Sequence, residues 1–224
     1  MITHAMIEAQ RKLYSQPIVI GDVAVKVLTV RNKHFGILDG VTIPGKTMVE
    51  IDPGFVFGDG THATTKMCVE AIQKHLKKGA TVLDIGCGTG IQSIISALLG
   101  AGQVESVDID PSAISVTEHN AELNGVADRI TARVGDLTEN ASGVYDLVVA
   151  NILADPVIEL AGKLPEFVTD ETTIILSGVA DTRDADVSEA IKKNFTITEK
   201  ENRGGWVSYV LTLGASEVEE KVPP

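Results

Sequence analysis

The sequence predicts an α/β fold: a largely parallel sheet with helices on both faces, closed at the C-terminal end by an antiparallel hairpin. Three observations carry this. From residue 80 onward, short runs rich in Val, Ile and Thr alternate with longer amphipathic segments. Several of the short runs are almost wholly apolar, as strands covered on both faces must be. Finally, FTITEKENR and WVSYVLTL are separated only by Gly204-Gly205, a two-residue hairpin signal.

Taken in order, TVLDIG (81–86), QVESVDI (103–109), ITARVGD (130–136), YDLVVAN (145–151) and TTIILSG (172–178) read as strands. Helices are expected near 64–78, 91–100, 111–124, 154–167 and 184–194. The hairpin should end the sheet with an antiparallel strand. Residues 1–50 differ. A short helix over Thr3–Tyr14 precedes the β-like runs IVIGDVAVKVLTV and KTMVEID, with turns at Asp39-Gly40 and Pro44-Gly45. The expected organisation is a small β-rich appendage (1–50), a main domain (51–214) and a flexible acidic tail (215–224).

Composition narrows the function classes. Asp and Glu number 31 against 19 Lys and Arg, a formal charge of −12. Such a chain is unsuited to tracking a nucleic-acid backbone and lacks a basic face for an anionic membrane. Two cysteines can support neither a disulfide framework nor a multi-Cys zinc site. The N-terminus lacks the apolar run of a secretory signal, and no stretch approaches the roughly 20 apolar residues of a membrane span. A cytoplasmic setting is expected, with no metal. Gly, at 21 of 224 residues, exceeds the usual ~7%.

Part of that glycine lies in VLDIGCGTG (82–90). A buried strand ends near Asp84, and Gly86, Gly88 and Gly90 open a helix at Ile91. Glycines here allow a tight strand-to-helix turn and close approach of a ligand to backbone. The pattern is G-x-G-x-G, with Ile91 where a dinucleotide fingerprint needs Gly. One strand-helix-strand unit later comes Asp108, in SVDIDP. A carboxylate at that strand tip can accept hydrogen bonds from both ribose hydroxyls of a nucleoside. Asp110, followed by Pro111, reads as the N-cap of the next helix. After the third strand, Asp136 can reach an adenine amino group or serve as a turn residue. Asn151, at the tip of the fourth strand, can orient an amine through carbonyl oxygens or cap the following helix.

Between residues 51 and 72, IDPGFVFGDGTHATTKMCVEAI supplies two flexible turns. Thr61 can cap a helix running through Cys68. Phe57 or Phe55 can stack on a purine or pack as core. His62 can face a substrate or bond backbone at the helix start.

Glycine loop, acid, strand, acid and terminal hairpin together resemble the class I methyltransferases that use S-adenosylmethionine. The resemblance covers about 81–213 and implies a Rossmann-like, seven-stranded sheet whose last strand is antiparallel. More narrowly, DPGFVFGDGTHATT, VLDIGCGTG, SVDIDPSAI, HNAELNGV and VVANILA resemble the PrmA family, which methylates protein eleven of the large ribosomal subunit at several amino groups. By matching position, the resemblance implies that Phe57, Gly60, Thr61 and His62 border the cofactor and active site. Asp84, Gly86, Cys87, Gly88 and Gly90 would hold its methionine end. Asp108 with Ile109 would take the ribose, Asp136 with Leu137 the adenine edge, and Asn151 the transfer site.

This sequence departs from the family pattern at Asp59, where Thr is usual, and at Ala63, where Pro follows the His. Only about 50 residues precede the first motif, less than the family's N-terminal recognition domain. The resemblance implies N-methyl transfer to a Lys or N-terminal amino group of a protein, and these departures leave a ribosomal protein as one candidate substrate and not an implied one. A small-molecule acceptor on the same scaffold, or a cofactor-binding homologue without catalysis, are the alternatives.

Overall fold

The computed structural model describes residues 12–214. Most of the helix expected over Thr3–Tyr14, and the tail 215–224, lie outside the described residues. The chain runs β1 (Ile18–Ile20), β2 (Val23–Val27), α1 (Val30–Phe35), β3 (Thr47–Ile51), α2 (Ala63–His75), β4 (Thr81–Ile85), α3 (Ile91–Leu98), β5 (Gln103–Asp108), α4 (Pro111–Leu123), β6 (Ile130–Val134), β7 (Leu147–Asn151), α5 (Ala154–Lys163), β8 (Thr173–Ala180), α6 (Asp184–Ile191), β9 (Phe195–Arg203) and β10 (Trp206–Leu213).

The main sheet has seven strands in the order β6-β5-β4-β7-β8-β10-β9. β4 pairs in parallel with both β5 and β7, so the chain leaves β4 towards one edge and returns to its other side. That reversal opens a crevice at the carboxyl ends of β4, β5 and β7, where open α/β sheets bind ligands. β10 is antiparallel to β8 and to β9. The chain's last strand is thus antiparallel, as expected, but lies second from the edge, because it inserts between β8 and β9. Burial explains the choice: five consecutive residues of β10 are buried, whereas β9 alternates as an edge strand does.

Strand pleating distributes the core over both faces. Leu83 and Ile85 of β4 and Val148 and Ala150 of β7 join one apolar cluster with Val157 and Leu160 of α5 and Val187 and Ile191 of α6. Val82, Leu147 and Val149 point the other way, to Val69 and Ile72 of α2 and Ile94 and Ile95 of α3. Covered on both faces, β7 and β8 are apolar without alternation.

The N-terminal segment forms a three-stranded sheet, β1-β2-β3. Val23, Val25 and Val27 of β2 and Val49 and Ile51 of β3 lie in the same cluster as α2 and α3. This sheet therefore has no core separate from the main one, and β3 runs on to Ile51. One expected β run is corrected. IVIGDVAVKVLTV is strand only to Val27, and Val30 starts α1 instead. Thr29 caps that helix by accepting from the Asn32 N–H at 3.2 Å, and Gly36 ends it in the left-handed conformation. The helix expected over 154–167 is α-helical only to Lys163. Pro165 has no N–H to continue it, and a 3₁₀ turn over Leu164–Phe167 follows.

Candidate active site

A cavity of about 780 Å³ opens at the carboxyl ends of β4 to β8. The glycine loop after β4 forms its floor. Gly86 and Cys87 donate backbone N–H bonds to the Val107 carbonyl at 2.8 and 3.2 Å, which folds the loop against β5. Gly88 lies at φ +55°, and a side chain there would meet the Phe57 carbonyl oxygen at 2.4 Å, so only glycine fits. Gly90 is the left-handed N-cap of α3 and does not line the cavity.

Asp108, at the tip of β5, lines the cavity and organises it. One carboxylate oxygen accepts from the Gly88 N–H at 2.9 Å, and the other from the Asp110 N–H at 2.9 Å. Asp110 caps α4, accepting from Ser112 N–H at 2.8 Å, with Pro111 at the first helical position. The Ser112 hydroxyl and then its N–H hold that carboxyl below the usual carboxylate range. Ile109 lines the cavity and is exposed, as are Phe55, Phe57 and Leu153. After β6, Gly135 donates to the Asp108 carbonyl at 3.0 Å, bringing Asp136 and Leu137 to the wall. Asp108, Asp110 and Asp136 are the charged lining residues, and no Lys or Arg is among them. The wall favours a cationic ligand.

Asp84 lies elsewhere. It is fully buried beneath the loop, on the face towards α3, and does not line the cavity. One of its oxygens accepts from the Ser93 N–H at 3.1 Å and the Ser93 hydroxyl at 2.5 Å; the other takes the Gln92 amide at 3.3 Å. Burial pushes its carboxyl up to about 7 against the pull of the Ser93 bonds. Burial likewise raises both thiols, including that of the cavity-lining Cys87.

The segment before α2 also differs from expectation. His62, not Thr61, is the N-cap, its ring nitrogen facing the Thr64 N–H at 3.4 Å and the Thr64 hydroxyl at 2.7 Å. Thr61 turns away because Asp59 holds its N–H and hydroxyl, at 2.9 and 2.6 Å. Asp59 also accepts from the Tyr14 hydroxyl, whose pKa burial and this carboxylate push up to about 12. Gly60, Thr61 and Asp59 are therefore not part of the wall. His62 is. It stacks edge-on between Phe57 at 5.5 Å and Trp206 at 5.0 Å.

Asn151 stands at the end of β7, on the cavity wall, with its amide donating to the Thr65 hydroxyl at 3.4 Å. It does not cap α5, whose N-cap is Leu153, with no side-chain bond. Its carbonyl oxygen makes no hydrogen bond among the described residues.

Several wall residues come from places the motifs do not mark. Trp206 opens β10, and Gly178 sits in β8 where a side chain would strike the Ile152 carbonyl at 2.2 Å. Gln92 comes from the first turn of α3; Thr65, the last residue of DPGFVFGDGTHATT, joins the wall from the first turn of α2. HNAELNGV has a structural role. Asn120 bonds the Asp52 N–H and carbonyl and the Thr89 carbonyl at 2.9–3.0 Å, and Asn124, four residues on, bonds both backbone groups of Glu50. The pair ties the end of β3 to the glycine loop.

The chain that builds this wall matches known proteins over most of its length. The family model for ribosomal protein L11 methyltransferase (PrmA) matches residues 9–213. A ribosomal protein L11 methyltransferase of Ruminiclostridium cellulolyticum is 42% identical over 166 residues, 73% of this chain and 52% of that protein. One from Caldicellulosiruptor bescii is 39% identical over 196 residues, 87% of this chain and 61% of that protein. The crystal structure of a ribosomal protein L11 methylase from Lactobacillus delbrueckii subsp. bulgaricus superposes with a TM-score of 0.79 at 27% identity, covering 88% of this chain and 98% of that one. The chain spans about half the length of the first of these curated relatives. With one family model running through both sheets and the whole wall, the chain belongs to the ribosomal protein L11 methyltransferase (PrmA) family.

Proposed function

We propose that this chain is an S-adenosylmethionine-dependent N-methyltransferase acting on Lys or N-terminal amino groups of a ribosomal protein, with protein L11 the first candidate because the relatives carry that name. The observation that carries the reading is the cavity at the sheet's reversal point, with Asp108 held by the Gly88 N–H on one wall and Asn151 on another. The residues present fit the cofactor. The loop at Gly88 leaves backbone bare for a close ligand, and a wall with three carboxylates and no cation suits a sulfonium.

In this reading Gly86, Cys87 and Gly88 border the methionine end, Asp108 accepts from the ribose hydroxyls beside Ile109, and Asp136 and Leu137 border the adenine. Asp84 supports the loop from beneath through Ser93 rather than touching the cofactor. The cofactor supplies an activated methyl group on sulfur. The chain must present the amine in line and dry. Asn151 offers its carbonyl oxygen to an amine N–H, which aims the lone pair, while Thr65 fixes its amide end. A carboxamide cannot take the departing proton, so the amine must be neutral when it attacks, and the methylated ammonium then releases its proton to water. Phe57, His62 and Trp206 shield that side of the wall. Residues 51–214 carry this chemistry, and the segment before them braces the cofactor face. A ribosomal acceptor places the reaction in the cytoplasm; among the described residues no helix is long and apolar enough to cross a membrane.

The test is transfer of radiolabelled methyl from S-adenosylmethionine to purified protein L11. Label should appear in the protein and map to amino groups. Label confined to soluble metabolites of an extract would move the reading to a small-molecule acceptor, and absence of any transfer would overturn it.

A further inference from the structure

The wall holds one polar group that neither the fold nor the roles above employ. Gln92, the second residue of α3, lines the cavity and is only 2% exposed. Its amide nitrogen donates to an Asp84 oxygen at 3.3 Å, and its carbonyl oxygen is buried with no hydrogen-bond partner. Asp84 fixes which end is which. Above about pH 7 Asp84 is an ionised acceptor, so the NH₂ group faces it and the acceptor oxygen points elsewhere. A buried acceptor left unmatched is costly, whereas an apolar side chain such as the neighbouring Ile91 or Ile94 would fill the position at no such cost. The arrangement makes physical sense if a donor arrives with a ligand.

Position narrows the donor. Gln92 lies four residues past Gly88, in the first turn of the helix that the glycine loop opens after β4, whereas Asp136 follows β6, two strands along the sheet. The nearby polar side chains are already engaged: Ser93 with Asp84 and Ser106, Thr65 with Asn151. A ligand group that meets Gln92 must therefore be a donor, and a cation gains further from the carboxylate behind the amide. Resting on the S-adenosylmethionine reading, we infer that Gln92 binds the α-ammonium group of the cofactor's methionine end. Its carbonyl oxygen accepts the hydrogen bond, and its amide is anchored on Asp84. A partial rotation about the last side-chain torsion, which is broad for a carboxamide, turns the oxygen towards the ligand while the amide keeps its bond to Asp84.

Two ligands separate this contact from the rest of the site. S-adenosylhomocysteine carries the amino-acid end; 5′-methylthioadenosine has the same nucleoside and sulfur without it. Calorimetric titration of both into the wild-type chain and Gln92→Leu should show at least a tenfold loss of affinity for S-adenosylhomocysteine and less than a twofold change for methylthioadenosine. Equal loss for both ligands, or none for S-adenosylhomocysteine, would overturn the inference and leave the cofactor reading standing. Failure of the wild-type chain to bind either ligand would overturn that reading, and this inference with it. If Gln92→Leu does not fold by circular dichroism, Gln92→Met, an unbranched chain of similar length, carries the same test. Unfolding of both variants would assign Gln92 to the core and overturn the inference.

Discussion

Asn151 and Asp84 are both polar residues of central strands, and their surroundings give them opposite work. Asn151 meets the cavity with a free carbonyl, so Asn151→Ala should lower turnover by about 10²-fold or more while changing S-adenosylhomocysteine affinity less than threefold; single-turnover kinetics beside calorimetry reads both. Equal losses would make it a cofactor contact. Asp84 is sealed in, and burial raises its carboxyl to about 7 from an ordinary 3.8. Between about pH 4 and 7 the folded chain keeps a proton that the unfolded chain has released, so this group lowers stability as pH rises through that window. Asp84→Asn cannot titrate. Its thermal midpoint relative to wild type should improve between about pH 5 and pH 8, and a pH-independent difference would contradict the assignment. The motif marks Asp84 as an acid of the cofactor loop, yet strand pleating sends its side chain to the α3 face. Thr61 and His62 show the same limit. Both residue types can start a helix, and the choice falls to His62 because Asp59, anchored by the distant Tyr14, takes Thr61.

At the level of elements, the strands and the loop were legible because their causes are local. β-branched runs make the strands, glycine permits the turn, and Asp110-Pro111 starts α4. Trp206 and Gly178 were not, since β10 and β8 bring them to the wall and nothing near them in sequence points there, while Gln92 follows the glycine loop directly but carries no mark of its own. An Asn pair four residues apart is a signal that was available and missed. Asn120 is fully buried and ties α4 to Asp52 and Thr89. Asn120→Ala should leave those backbone groups unpaired and cost about 2–4 kcal/mol in chemical denaturation. It should also weaken cofactor binding by loosening the glycine loop. Loss of stability under about 0.5 kcal/mol would show that the tie is dispensable.

Taken whole, the molecule is one layered structure. The sheet's two faces are sealed by α5 and α6 on one side and by α2, α3 and the small N-terminal sheet on the other. The division expected near residue 50 reflects composition: β-rich before, alternating after. Burial crosses it, because Val25, Val49 and Ile51 pack with Val69 and Ile94. The net charge of −12 fits a cavity whose charged walls are all acidic. The assignment of the cavity rests most directly on Asp108, the acid that the Gly88 N–H holds where the ribose of the cofactor would lie. Titration of S-adenosylhomocysteine into the purified chain tests this most simply. Saturable one-to-one binding is predicted, weakened roughly ten- to a hundredfold by Asp108→Ala, which removes a charge-assisted contact and the anchor of Gly88. A flat trace for the wild-type chain, or unchanged affinity in Asp108→Ala, would contradict the assignment of this cavity.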